Sequence, residues 1–222
     1  MPKPHASVLV FPGTNREGDI AAALGAVGFT TQYIWHVETA LPKTDLIVLP
    51  GGFSYGDYLR TGAIATLSNV MRPVREAAAK GVRVLGVCNG FQSLCEAGLL
   101  PGVLLRNAKL KFICKFLPLR VENTNTLFTN KFSAGEEISV PVAHGDGNYT
   151  ADAETIKMLE GEGRVVFRYL ENANGSMNAI AGIISADGKI MGMMPHPENA
   201  INDMHGERDG LKIFQSIYEA VA

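Results

Sequence analysis

The chain has 222 residues, 46% of them hydrophobic and 19% charged, a balance that excludes a disordered segment and allows roughly 70% of the unfolded surface to be buried on folding. With 20 basic and 22 acidic side chains, a net charge of −2 and no run of like charge, neither a nucleic acid nor an anionic membrane surface is an expected partner. No apolar stretch approaches the roughly 18 residues of a membrane span or forms a signal-peptide core, and the three cysteines lack disulfide or CxxC spacing, so no membrane contact and a reducing, cytoplasmic location are expected.

Residues 7–11 form a short apolar run that stops at Pro12-Gly13, as a buried parallel strand does. A helix over 19–27 and a β-branched, aromatic strand over 30–35 complete a βαβ unit. Residues 46–49 repeat the buried-strand signature and run into Pro50-Gly51-Gly52; 69–80 reads as a helix with Pro73 in its first turn, and 82–87 as the next buried strand, followed by a helix over 89–97. From Leu104 the pattern turns to alternation, with strands over 111–121, 138–142 and 165–170 and a hairpin of 179–185 with 189–194 around Asp187-Gly188. An amphipathic helix over 210–221 closes the chain. No linker interrupts the pattern, which points to one α/β domain over 1–222.

The most informative segment is Gly86-Val87-Cys88-Asn89-Gly90, a buried strand ending in a nucleophile-type residue between glycines. The spacing matches a nucleophile elbow, whose tight strand-to-helix turn needs small neighbours and presents the central side chain at a helix N-terminus, where the dipole favours a thiolate. A buried structural cysteine is the alternative. Cys95 and Cys114, lying among Leu94 and Leu99 and beside Ile113 respectively, read as packing residues.

A thiol nucleophile requires a base, and the base an orienter. In Pro195-His196-Pro197-Glu198, Pro197 biases His196 toward extended backbone, which puts Glu198 on the same side as the imidazole. Cys88, His196 and Glu198 are therefore a candidate triad, against the alternative that the tetrapeptide is only a rigid loop. His5, His36 and His205 read as surface residues, whereas His144, in Ala143-His144-Gly145-Asp146-Gly147, belongs either to loop structure or to a substrate site. Donors for a developing oxyanion, each worth about 10²–10³ in rate, are expected from the backbone at Gly52-Phe53 and Asn89. There is no GxxxxGK[ST], HExxH, paired-cysteine metal spacing or GxGxxG, so neither a nucleotide site nor a metal is indicated.

The elbow cysteine in GxCxGxQ, the downstream His-Pro-Glu and the strand ending in Pro-Gly-Gly together resemble the class I, triad glutamine amidotransferases. The segment 51–65, with Phe11-Pro12-Gly13-Thr14-Asn15, Leu119-Arg120-Val121-Glu122-Asn123 and Gly192-Met193-Met194-Pro195, is similar to the glutaminase subunits of phosphoribosylformylglycinamidine synthase, enzymes of purine synthesis. The likeness runs from about Ser7 to Phe214. Arg16, Asp146 and Asn199 depart from that pattern, which usually has cysteine, glutamate and arginine there.

The resemblance implies a flavodoxin-like fold with an open, mostly parallel sheet, flanking helices and an added antiparallel region. It implies hydrolysis of glutamine to glutamate and ammonia by Cys88, His196 and Glu198, with Gln92, His144 and Gly145 holding the glutamine. It further implies no cofactor in this chain, and a large synthetase subunit that carries ATP and magnesium, in many bacteria with a third small subunit.

Overall fold

A computed structural model describes residues 3–222. Its nine-stranded sheet is assembled from β1 (His5–Val10), β2 (Thr30–Trp35), β3 (Leu46–Leu49), β4 (Arg83–Val87), β6 (Ile113–Val121), β7 (Glu137–His144), β9 (Val165–Tyr169), β10 (Ile180–Ile184) and β11 (Ile190–Met193), while β5 (Val103–Leu105) and β8 (Asn148–Thr150) pair separately. The helices are α1 (Glu17–Val27), α2 (Met71–Ala79), α3 (Asn89–Glu96), α4 (Ala153–Gly161) and α5 (Leu211–Val221).

The order across the large sheet is β2-β1-β3-β4-β11-β10-β9-β6-β7. Its first five strands run parallel in the 2-1-3-4-5 sequence of flavodoxin-like sheets. The remaining pairings, from β11 through β10, β9 and β6 to β7, are antiparallel. Both expected regions are therefore present. β3 and most of β4 are wholly buried, the condition that makes such strands continuous apolar runs rather than alternating ones.

Most elements lie within a residue or two of where the sequence puts them. Pro73 sits in the first turn of α2, where its missing N–H has no intrahelical partner to lose. α4, β5 and β8 are not among the elements read from the sequence. The helix α4 does carry a start signal: Asp152 caps it by accepting from the Thr155 N–H at 2.7 Å.

One register decides where chemistry is placed. β4 and β11 are parallel neighbours with Val87 opposite Met193, so their carboxyl ends emerge side by side and the Cys88 N–H donates to the Met193 carbonyl at 2.8 Å. Ligands bind at this end of an open α/β sheet. The chain places Cys88 one residue beyond β4 and His196 three residues beyond β11.

Candidate active site

The strand β4 passes into α3 with only Cys88 between them, and that residue adopts φ 51°, ψ −107°, a strained conformation for a residue with a side chain. Its glycine neighbours are required by close approach. A Cβ on Gly90 would lie 1.9 Å from the Leu49 carbonyl oxygen, and one on Gly86 would lie 2.8 Å from the Gly90 backbone and 2.5 Å from Leu94. The expected elbow is therefore the observed turn.

Cys88 is buried, and its Sγ lies 3.8 Å from the Ala143 carbonyl. His196, also buried, is fixed by its N–H donating to the Pro141 carbonyl at 2.8 Å. Both carbonyls belong to β7, the edge strand of the sheet, which through these contacts meets the residues that follow β4 and β11. Gly51 completes the wall, since a Cβ there would stand 2.7 Å from His196 Cε1.

His196 Nδ1 lies 2.7 Å from Glu198 Oε1, and Glu198 is fully buried. The contact is the expected one, although the backbone route differs. His196 has φ −102°, ψ 86°, and Pro197–Asn199 coil into a single 3₁₀ turn that folds Glu198 back under the ring. With a carboxylate on Nδ1, that nitrogen carries a proton, which leaves Nε2 as the basic atom; Nε2 is buried without a hydrogen-bond partner.

Burial disfavours charge on the imidazole, but Glu198 on one side and Cys88 on the other outweigh it and raise His196 to about 10. The arrangement therefore favours an imidazolium at neutral pH once the neighbouring thiol gives up its proton.

The pocket in front of the sulfur has a volume of about 120 Å³ and is lined by Cys88, Gln92, His144 and Gly145 with Gly52 and Phe53 among others. Gln92 spans the pocket wall, its Nε2 donating to the Asp146 carbonyl at 2.7 Å and its Oε1 accepting from Asn89 Nδ2 at 2.9 Å. A Cβ on Gly145 would meet nothing closer than 3.7 Å, so its bareness leaves open space rather than relieving a clash.

His144 is buried, with Nδ1 3.1 Å from Asn107 Oδ1. Asn107 uses its amide N–H groups on the Lys111 and His144 carbonyls, so Oδ1 is an acceptor and His144 Nδ1 carries the proton. Burial, with His196 nearby, lowers His144 to about 4. It is a neutral ring with an unpartnered Nε2.

The oxyanion donors need one correction. Phe53 donates its N–H to the Gly13 carbonyl at 2.9 Å, and Asn15 donates to the Gly51 carbonyl at 3.3 Å. These bonds form the isolated bridge between Thr14 and Gly52 and leave the Gly52 N–H unengaged. The N–H of Asn89, first residue of α3, has no intrahelical acceptor. Gly52 and Asn89 thus offer donors, and Phe53 contributes an apolar wall.

Cys95 is buried at the far end of α3 with its thiol toward the Pro101 carbonyl, and burial pushes that thiol well above its ordinary range. Cys114 is not a packing residue: it is exposed on β6, because its strand presents that face to solvent. Half-buried His36 is engaged by the Tyr55 hydroxyl, 2.7 Å from its Nδ1. Two positions that depart from the resembled pattern meet on one carboxylate, Arg16 at 3.0 Å and Asn199 at 3.1 Å from Asp19 Oδ2.

One pocket residue carries no sequence signal that singles it out. Asp57 projects from a loop in which Tyr55, Asp57 and Leu59 all have positive φ, and Asn89 Nδ2 donates to it at 3.2 Å. Among the described residues, no group of three or more histidine, cysteine or acidic side chains is placed to hold a metal, and no helix is long and apolar enough to cross a membrane.

A model of the CobB/CobQ-like glutamine amidotransferase domain matches residues 3–218. The chain is 57% identical to the phosphoribosylformylglycinamidine synthase subunit PurQ of Nitrobacter hamburgensis, over 96% of each protein. It belongs to the PurQ family of glutamine amidotransferases. PurQ of Rhizobium meliloti is 55% identical, with 98% of this chain and 99% of that protein covered. Among solved structures, PurLQS from Thermotoga maritima contains a chain that superposes with a TM-score of 0.92 at 44% identity, covering all of both chains. A glutamine amidotransferase from Thermotoga maritima, at TM-score 0.60 and 18% identity over 89% of this chain and 77% of that one, shares the fold with PurQ proteins.

Proposed function

We infer that this chain is the glutaminase subunit of phosphoribosylformylglycinamidine synthase in purine biosynthesis, releasing ammonia from glutamine for a synthetase subunit. The observation that carries the reading is the strained elbow cysteine beside a buried imidazole whose other nitrogen is held by Glu198. Family membership supports the same activity.

In this mechanism His196 Nε2 takes the Cys88 proton, and the thiolate attacks the carboxamide carbon of glutamine. The oxyanion that forms accepts hydrogen bonds from the N–H groups of Gly52 and Asn89. As the C–N bond breaks, the imidazolium gives its proton to the nitrogen and ammonia leaves a glutamyl thioester on Cys88. Water then attacks the thioester with His196 again accepting the proton; the thiolate departs, is reprotonated, and glutamate is released. Gln92, His144 and Gly145 line the pocket that receives the glutamine.

The family resemblance assigns ATP and magnesium to the synthetase partner, in many bacteria with a third small subunit. Such a division of labour suits a cytoplasmic complex in which ammonia travels internally, because ammonia released into neutral water is protonated and ceases to be a nucleophile.

Reconstitution with the synthetase subunit tests the reading. Cys88→Ala should lose glutamine-dependent synthesis by about 10³-fold or more while ammonia-dependent synthesis persists. Equal use of glutamine by wild type and variant would reject the assignment.

A further inference from the structure

The pocket before Cys88 is lined by two carboxylates, Asp57 and Asp146, and by no lysine or arginine. Asp57 is half-buried and accepts one hydrogen bond, from Asn89 Nδ2. The nearest cation to Asp146 is Arg106, a mostly exposed side chain outside the lining whose Nε stands 3.8 Å from Asp146 Oδ1, beyond hydrogen-bond distance. Neither acid is neutralised from within the pocket.

The rest of the lining adds no positive charge. His144 is buried and neutral, with Nε2 unpartnered. Two acids with no cation in the lining form a site complementary to a small cation with several N–H donors.

That complementarity is built at a cost in backbone energy. Asp57 sits at φ 56°, between Tyr55 at 55° and Leu59 at 68°, and non-glycine residues in the left-handed region are destabilising. Asn89 Oδ1 anchors the same loop by accepting from Ser54 N–H at 3.2 Å and Ser54 Oγ at 2.5 Å. The residue that follows the nucleophile therefore holds both the loop and its carboxylate. Burial and the charge on Asp146 raise Asp57 to about 6, a mutual repulsion that a bound cation would relieve.

We propose that Asp57, supported by Asp146, binds the α-ammonium group of glutamine and so makes the pocket selective for amides of α-amino acids. The inference rests on the glutaminase reading and names a specificity residue within it. With the carboxamide carbon at Cys88, the other end of the substrate has to meet the pocket lining. The group there that carries positive charge and three donors is the ammonium.

The test is steady-state glutaminase kinetics of the reconstituted complex with glutamine and with its des-amino analogue, 4-carbamoylbutanoate, comparing wild type with Asp57→Asn. Asparagine tolerates positive φ as aspartate does, so the loop is preserved. The variant should melt no lower than wild type at pH 7, since it removes a carboxylate that repels its neighbour. Asp57→Asn should raise KM for glutamine about 10- to 100-fold, as expected for loss of a charge-assisted hydrogen bond.

Wild type should disfavour the des-amino analogue by a similar factor in kcat/KM, and Asp57→Asn should add no further penalty on it. An unchanged KM for glutamine in the variant, with wild-type turnover intact, would overturn this inference alone. Equal losses on glutamine and the analogue would also overturn it, by showing a structural effect. Absence of glutamine turnover in the wild-type complex would overturn the glutaminase reading and this inference with it.

Discussion

The two ends of α3 carry one buried cysteine each, Cys88 at the start and Cys95 in the last turn, exposed by only 5% and 8%. Exposure does not separate them; their neighbours do. Cys88 stands in strained backbone with an imidazole beside it, whereas Cys95 has helical backbone, the Pro101 carbonyl and Glu96 for neighbours. A thiol among apolar groups with a nearby negative charge is held protonated, while one beside a base can yield its proton. Reactivity in this fold is thus a property of position at the carboxyl end of the sheet.

Truncating each sulfur separates the two positions most strongly. Where Cys88→Ala abolishes glutamine use, Cys95→Ala should leave glutamine-dependent synthesis within about threefold of wild type and cost about 1 kcal/mol of stability, the typical price of a small core truncation. A Cys95 variant as inactive as the Cys88 variant would remove the distinction.

The orienting carboxylate has the next largest effect. Glu198→Gln keeps the shape of the contact with His196 but removes the charge that favours the imidazolium, so glutamine-dependent kcat should fall about 10²–10⁴-fold. In the pH–rate profile the alkaline limb should move to lower pH, because without the carboxylate the imidazolium that protonates the leaving nitrogen is no longer held up to about 10. A profile parallel to wild type would show that Glu198 acts on shape alone.

The smallest effect concerns His144, the neutral counterpart of His196. Its folded value, about 4, lies below the ordinary 6.5, so the unfolded chain binds the proton more readily and stability falls as pH drops from 6.5 to 4. His144→Asn keeps a donor toward Asn107 and removes the titration. The unfolding free energy of wild type relative to this variant should decline by about 1 kcal/mol or more across that window, read by urea denaturation at each pH. His196 and Asn107 are the groups that face the ring, and repeating the series in a His196→Asn background removes the other titrating imidazole. A constant difference would contradict the neutral, buried assignment.

How much of this was legible in the sequence follows from how each part is encoded. Buried parallel strands are continuous apolar runs, so β1, β3 and β4 announce themselves, and the Gly-x-Cys-x-Gly spacing records a steric requirement seen directly in the approach of Gly90 to Leu49. β5 and β8, of three residues each, are too short to show a period. The choice between Gly52 and Phe53 as donor is set by a two-bond bridge to the loop after β1, a long-range contact that no local pattern encodes. Asp57 comes from a loop of left-handed residues with no periodicity, and its meaning depends on Asp146, remote in sequence and adjacent in the pocket.

Neighbours, rather than accessibility, select the reactive sulfur. Treating the reconstituted complex with a glutamine-analogue electrophile and mapping the adduct by peptide mass spectrometry tests it directly, because Cys114 is exposed and Cys88 is not. The account predicts one adduct, on Cys88, lost when excess glutamine is present and in His196→Asn. Preferential labelling of Cys114, or equal labelling of all three cysteines, would contradict it.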